Sequence, residues 1–104
     1  NIADIRSKDF STFMGEMGKL YQASAKEIAT LNVPTVLVEN HMNLINNYLE
    51  SAKIMESVGN TSEDPLQAYA ALNIYSKNSD LETELLLNIQ KTMAASGIIL
   101  DRNI

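Results

Sequence analysis

The chain has 104 residues, 45% of them hydrophobic and 20% charged, so it is expected to fold as one globular domain with a single core. Its formal charge of -5 and its scattered Lys and Arg residues exclude a phosphate-binding surface and so argue against a nucleic-acid partner. It has no cysteine, no tryptophan and one histidine, which excludes disulfides and thiolate chemistry and favours a protein that is neither an enzyme nor a cofactor carrier.

The first predicted helix covers about residues 7–31. Apolar residues recur along it at helical spacing, from Phe10 to Leu31, and most charged residues lie off that stripe. Gly15 and Gly18 would weaken this helix unless a neighbouring backbone packs closely against them, and such packing is the favoured interpretation. We expect the preceding lead-in to pack through Ile2 and Ile5.

The second predicted helix covers about residues 34–58. Pro34 breaks the chain and suits the first turn of a new helix, so the link to helix one is short and the two helices form an antiparallel hairpin. Gly59 is predicted to end this helix as a left-handed cap. Its apolar stripe advances in steps of four or three through Leu37, His41, Leu44, Tyr48, Ala52 and Met55.

The third and fourth predicted helices cover about residues 65–77 and 80–96. Asp64 before Pro65 is a typical helix start, and Ser79 followed by Glu82 has the spacing of a capping box. Gly97 is predicted to end helix four, and the apolar residues 98–100 to fold back or extend it. These features predict an all-α domain over residues 1–104, an antiparallel up-down-up-down four-helix bundle.

The predicted helices differ in length, which indicates a surface. Helices one and two would each be about 36 Å long, whereas helices three and four would be about 20 and 25 Å. The first hairpin would therefore be longer than the second, and its tip would stand uncovered as an apolar interaction surface. We assign five residues to that surface: Leu31, Val33, Val36, Leu37 and His41.

His41 allows several interpretations. As a metal ligand it lacks a second histidine or a Glu-x-x-His partner, and a proton-linked switch is a further reading. As a phosphoacceptor it resembles the exposed histidine of helical phosphotransfer domains, but those domains show a lysine and then a glycine shortly after the histidine, whereas His41 is followed by Met42, Asn43, Leu44 and Ile45. The favoured interpretation is a structural histidine at the core edge, bonded to a backbone carbonyl or a tyrosine.

Aromatic, sulfur and acidic side chains offer weaker signals. The tyrosines are predicted to be core residues whose hydroxyls reach the rim, with an aromatic groove as the alternative, and the methionines to fill gaps in the core. The carboxylates are predicted to form a solvated surface, in a set that includes Glu39, Glu50, Glu56, Glu63, Glu82 and Glu84.

Residues 33 to 100 resemble a group of uncharacterised bacterial helical proteins. The resemblance lies in Val33-Pro34 before a long helix, in HMNLINNYLESAKIM, and in DPLQAYAALNIYSK at the start of the next helix. In that group a similar domain usually follows an N-terminal hydrophobic signal or anchor. The resemblance therefore implies an extracytoplasmic or cell-surface location, with a signal or anchor ahead of Asn1, and it carries no activity and no site residues.

Two functional hypotheses follow. The first is a non-enzymatic helical structural or protein-interaction domain, exported or surface-exposed, that meets a protein partner or a second copy through the tip. The alternative is a helical bundle that binds a small ligand in a pocket under the tip, near His41, Tyr21 and Leu44. No catalytic, metal or cofactor-binding residue is assigned, because no nucleophile, base and oxyanion donor converge in the sequence.

Overall fold

The computed structural model describes residues 8–60 and 64–97, and these residues form three α-helices. Helix α1 spans Lys8–Ala29, α2 spans Val38–Asn60 and α3 spans Pro65–Ala95, with one 3-10 turn at Thr35–Leu37. The all-α class is thereby confirmed. The predictions for residues 2, 5, 63 and 98–100 lie outside the described residues.

Helices α1 and α2 form the antiparallel hairpin that the sequence predicts. A side chain at Gly18 would place its Cβ 3.2 Å from the Ala52 carbonyl oxygen, so this glycine permits close packing of the two helices. Gly59 was wrongly predicted to end α2, which continues to Asn60. It lies against α1 instead, where the Ser11 hydroxyl donates to the Gly59 carbonyl at 2.8 Å.

The third and fourth predicted helices are one continuous helix, so the prediction of four helices is wrong for the described residues. The predicted break at residues 77–80 lies inside α3. The polar residues in and just after this stretch have hydrogen-bond partners. The Asn78 side chain bonds to α2, and Glu82 accepts from the Tyr48 hydroxyl of α2 at 3.0 Å. Within α3, the Ser79 carbonyl accepts from the Thr83 hydroxyl. Such side chains are tolerated within a helix when they find partners, so the capping-box spacing does not start a new one.

The ends of α3 follow the sequence signals. Asp64 caps the first turn, with its Oδ1 accepting from the amides of Leu66 and Gln67. At the other end Gly97, with a φ of 76°, follows the last helical turn, as predicted. Between these points the helix has 31 residues.

The length of α3 overturns the expectation that the first hairpin is longer than what packs against it. A helix of that length is about 46 Å long, and the longest dimension of the described protein is 50 Å. Near the C-terminal end of α3, Asn40 of α2 donates to the Thr92 hydroxyl at 3.4 Å. Helix α3 therefore extends to the start of α2 and covers the side of the tip that the sequence left open.

Helix α2 is the central helix of the bundle. Both α1 and α3 pack on it, and among the described residues no Cα of α1 lies within 8 Å of a Cα of α3. Long side chains bridge these two outer helices, as where the hydroxyls of Tyr21 and Tyr75 bond to each other. The main core cluster comprises Met14, Ile54, Met55, Val58 and Ala71, with Phe10, Met17, Tyr21, Leu72 and Tyr75 packed around it.

Candidate functional site

His41 lies at the junction of α1 and α2. Its side chain is buried, and its Nε2 lies 2.8 Å from the carbonyl oxygen of Ile28, near the end of α1. A carbonyl oxygen only accepts, so Nε2 carries the proton and donates it. This is the bond to a backbone carbonyl that the structural interpretation predicts, and it ties the start of α2 to the end of α1.

A cavity of about 180 Å³ lies beside His41, where the ends of α1 and α3 meet the start of α2. The Nε2 atom of His41 is hydrogen-bonded to the Ile28 carbonyl, and the other side chains around the cavity are hydrocarbon. The lining residues are Ile28, Leu31, Val33, Leu37, His41, Leu44 and Ile89. Tyr21, which the sequence placed near this pocket, is not among them.

The five residues predicted to form the interaction surface divide into exposed and buried sets. Leu31 is 61% exposed and Val36 is 51% exposed, whereas Val33 is half-buried. Leu37 is only 6% exposed and His41 is also buried, because α1 and α3 both reach this end of α2. Four of the five line the cavity, and Val36 lies outside it.

Two further apolar side chains are exposed at this end of the hairpin: Val38, which the sequence also places at the tip, and Met42, which it does not. Val38 and Met42, in the first turns of α2, are each about as exposed as Val36. They lie four apart, so they share one face of the helix. We call the four exposed apolar residues at this end, Leu31, Val36, Val38 and Met42, the tip patch, in which Val36 lies on a different side of the chain from Val38 and Met42.

A cluster of three tyrosines fills the middle of the bundle. The Tyr21 ring meets the rings of Tyr48 and Tyr75 edge to face, with centroids 5.7 and 6.1 Å away. Burial raises the pKa of Tyr21 far above its usual value, and the bond to Tyr75 raises it further. Burial and the bond to Glu82 likewise raise the pKa of Tyr48. These neutral hydroxyls join the three helices.

Glu82 was wrongly assigned to the solvated surface. It is half-buried on α3, where its Oε2 accepts the Tyr48 hydroxyl proton at 3.0 Å. Its position in the sequence gave no sign of this bond, since it depends on α3 continuing past residue 80.

A buried polar network that sequence reasoning missed joins α2 to α3. The Asn78 amide donates to the Asn47 carbonyl at 3.0 Å and to the Ser51 hydroxyl at 2.7 Å, and Asn47 donates back to the Asn78 carbonyl at 3.0 Å. Within the described residues the Asn47 Oδ1 has no hydrogen-bond partner. Asn47 and Ser51 lie four residues apart at the edge of the apolar stripe. That spacing is the one feature of the sequence that could have indicated polar contacts between α2 and another helix.

The described residues contain no group of three or more His, Asp and Glu side chains placed to hold a metal ion. No helix within residues 8–60 and 64–97 is long and apolar enough to cross a membrane. Comparison with models of protein families, with curated proteins and with solved structures finds no match to this chain.

Proposed function

We propose that this protein is a non-enzymatic helical interaction domain that meets a protein partner or a second copy through the tip patch. The observation that carries this proposal is the exposure of Leu31 and Val36, 61% and 51%, beside two further exposed apolar residues. Large apolar side chains gathered on a protein surface mark interaction sites more often than scattered ones do. An extracytoplasmic or surface location is proposed with it, on the resemblance of residues 33 to 100 alone.

Contact with a partner can be tested by photocrosslinking. A photoreactive amino acid in place of Val36 should yield one discrete crosslinked species in the source cells, either a second copy or another protein. The same replacement at Glu50, which is exposed on α2 away from the tip, serves as the matched control. Equal crosslinking at both positions, or none at position 36, contradicts the proposal.

The second candidate function is binding of a small apolar molecule in the cavity beside His41. The observation in its favour is the volume of about 180 Å³ with hydrocarbon lining. An engineered apolar cavity of about 150 Å³ in another protein binds benzene, so the size suffices for a single ring.

Benzene is therefore a suitable probe for this candidate. If it binds, the melting temperature should rise with benzene concentration, as mass action requires. Ile89→Phe, which places a larger side chain in the cavity wall, should abolish that rise, while Leu81→Phe, at an exposed position on the same helix, should leave it unchanged. An equal rise in both variants means that benzene binds elsewhere.

A further inference from the structure

Helices α1 and α3 both pack on α2, and among the described residues no Cα of one lies within 8 Å of a Cα of the other, which leaves a groove between them on the side away from α2. Tyr21 and Tyr75 bridge its floor. Around α1, Gly18 lies about 60° from Tyr21 and packs on the Ala52 carbonyl of α2. Leu20 lies about 100° from Tyr21 in the opposite direction, which places it on the outer side of α1 beside the groove.

The wall that α1 contributes is apolar. Phe13, Met17 and Leu20 follow one another at steps of four and three, so they share one face of the helix. Phe13 is 58% exposed and Leu20 is 60% exposed. Met17 and Leu20 also line a depression together with Tyr21 and with Tyr48 of α2.

The wall that α3 contributes is only partly apolar, because Ser79 lies between Leu72 and Leu86 both along the helix and around it. Asn78, which bonds to α2, lies about 60° around α3 from Tyr75. Leu72 and Leu86 lie on the other side of Tyr75, at about 60° and 20°. Leu86 therefore points towards α1, yet it is 44% exposed. A side chain directed at a neighbouring helix stays exposed only when the space between the two helices is open.

Charge is segregated around α1. Its three carboxylates lie on the groove side, within about 40° of Leu20 around the helix: Asp9, Glu16 and Glu27. Its three lysines are turned about 100° to 120° away from Leu20: Lys8, Lys19 and Lys26. The observed place of Lys19, beside Gly18 and Ala52 in the seam with α2, agrees with this division. One rim of the apolar groove is thus acidic.

We propose that the groove between α1 and α3 binds one amphipathic basic helix of a protein partner. The apolar stripe of that helix packs on Phe13, Leu20 and Leu86, and its flanking Lys and Arg side chains face the acidic rim. Alongside α1, from Phe13 to Ala29, the groove is about 24 Å long, which suits a helix of about 16 to 18 residues. This inference rests on the proposed role as an interaction domain and names a partner class, on a surface separate from the tip patch.

The charge distribution favours a basic helix over a second copy of this chain. The chain carries a formal charge of -5. Two copies that met through this groove would bring acidic rim against acidic rim, which is unfavourable at short range. A basic helix instead neutralises the carboxylates as it covers the walls of the groove.

Two synthetic peptides of about 18 residues test the inference. Both carry leucine at heptad a and d positions, one with lysine and the other with glutamate at the flanking positions. In fluorescence anisotropy the lysine peptide should bind the whole chain, more weakly as salt rises, and the glutamate peptide should not. Equal binding of both peptides, or binding of neither, overturns the inference.

Variants place the peptide in the groove. Leu20→Ser and Glu16→Lys should each weaken binding of the lysine peptide about tenfold. Leu49→Ser and Glu50→Lys change the same residue types at exposed positions of α2 and should leave binding unchanged. Equal loss in test and control variants overturns the groove as the site.

Two further measurements distinguish a second copy from a partner helix in the groove, and the groove from the tip patch. A concentration-dependent dimer in light scattering that Leu20→Ser disrupts would show a second copy in the groove and overturn the inference. Val36→Asp alters the tip patch alone and should leave peptide binding intact. Loss of crosslinking at position 36 with intact peptide binding refutes the tip as the contact surface and leaves the groove standing.

Discussion

Replacing Asn78 by alanine should destabilise the protein, because this side chain completes the buried polar network between α2 and α3. Its amide donates to the Asn47 carbonyl at 3.0 Å and to the Ser51 hydroxyl at 2.7 Å. Its Oδ1 accepts from the Asn47 amide at 3.1 Å. Ser51 is fully buried and Asn47 nearly so, which means that neither can turn to solvent when Asn78 is shortened.

The magnitude follows from which groups lose a partner. The Asn47 side-chain amide keeps its bond to the Asn78 carbonyl, and the Asn47 carbonyl keeps its bond to the amide four residues on in α2, so the main loss is at the Ser51 hydroxyl. A buried polar group left without a partner costs about 1–3 kcal/mol, and alanine in place of asparagine returns about 0.5 kcal/mol of helix propensity. We therefore expect a net loss of about 2 kcal/mol in the free energy of unfolding, or a melting temperature lower by about 8–16 °C.

Urea denaturation followed by circular dichroism measures this loss. Asn73→Ala is the matched control, since Asn73 is exposed on the same helix and its replacement should leave stability unchanged or slightly higher. The urea concentration at the midpoint of unfolding should fall for Asn78→Ala, while the dependence of the unfolding free energy on urea stays the same. Similar midpoints for the two variants would refute the argument that Asn78 holds α3 on α2.

Three further predictions concern packing, pH and the histidine. Gly18→Val should lower the free energy of unfolding by about 1–3 kcal/mol, because its side chain meets the backbone of α2, whereas Gly15→Ala, with open space around it, should raise it by about 0.5–1 kcal/mol in the same denaturation assay. Burial raises the pKa of Tyr21 in the folded state, so the unfolded chain loses its proton first and stability should fall as the pH rises above about 10. Tyr21→Phe should weaken that pH dependence in denaturation between about pH 9 and pH 11. His41→Leu should remain folded, with a loss of about 1 kcal/mol or less, because the carbonyl that it contacts also accepts a backbone amide; unfolding of this variant in circular dichroism would contradict that role.

Local signals in the sequence predicted a helix boundary correctly only where the backbone geometry of the residues themselves prevents the helix from continuing. The Asp64-Pro65 pair is such a case, since proline removes a backbone donor and restricts its neighbour. Pro34 separates α1 from α2 as predicted, but a 3-10 turn at Thr35–Leu37 follows it and α2 begins at Val38 instead of residue 34.

The capping box at Ser79 and Glu82 is a different case, because Ser, Asn and Asp can also remain inside a helix. Whether they do depends on partners from another helix, and here α2 supplies them to Asn78 and Glu82.

The role of the candidate surface stays a prediction, and the structure shows only where its residues lie. Periodicity placed the apolar residues around His41 at one end of the first hairpin, and the cavity and the tip patch are found there. The sequence could not show which of these residues are exposed, because burial of Leu37 depends on α3 reaching the start of α2. The groove between α1 and α3 was missed for the same reason, since it exists only once both helices lie on α2.

By itself the sequence determined the all-α class, the antiparallel α1–α2 hairpin and the apolar stripe through His41, because these depend on spacing within one segment and on proline geometry. Only the tertiary structure decided that α3 is a single helix, that its end covers the tip, and that an apolar groove with an acidic rim stays open between the outer helices. Those outcomes depend on contacts between residues far apart in the chain, such as Asn47 with Asn78 and Tyr21 with Tyr75. No local pattern encodes them, because the same side chains would equally suit a helix end or a solvated surface.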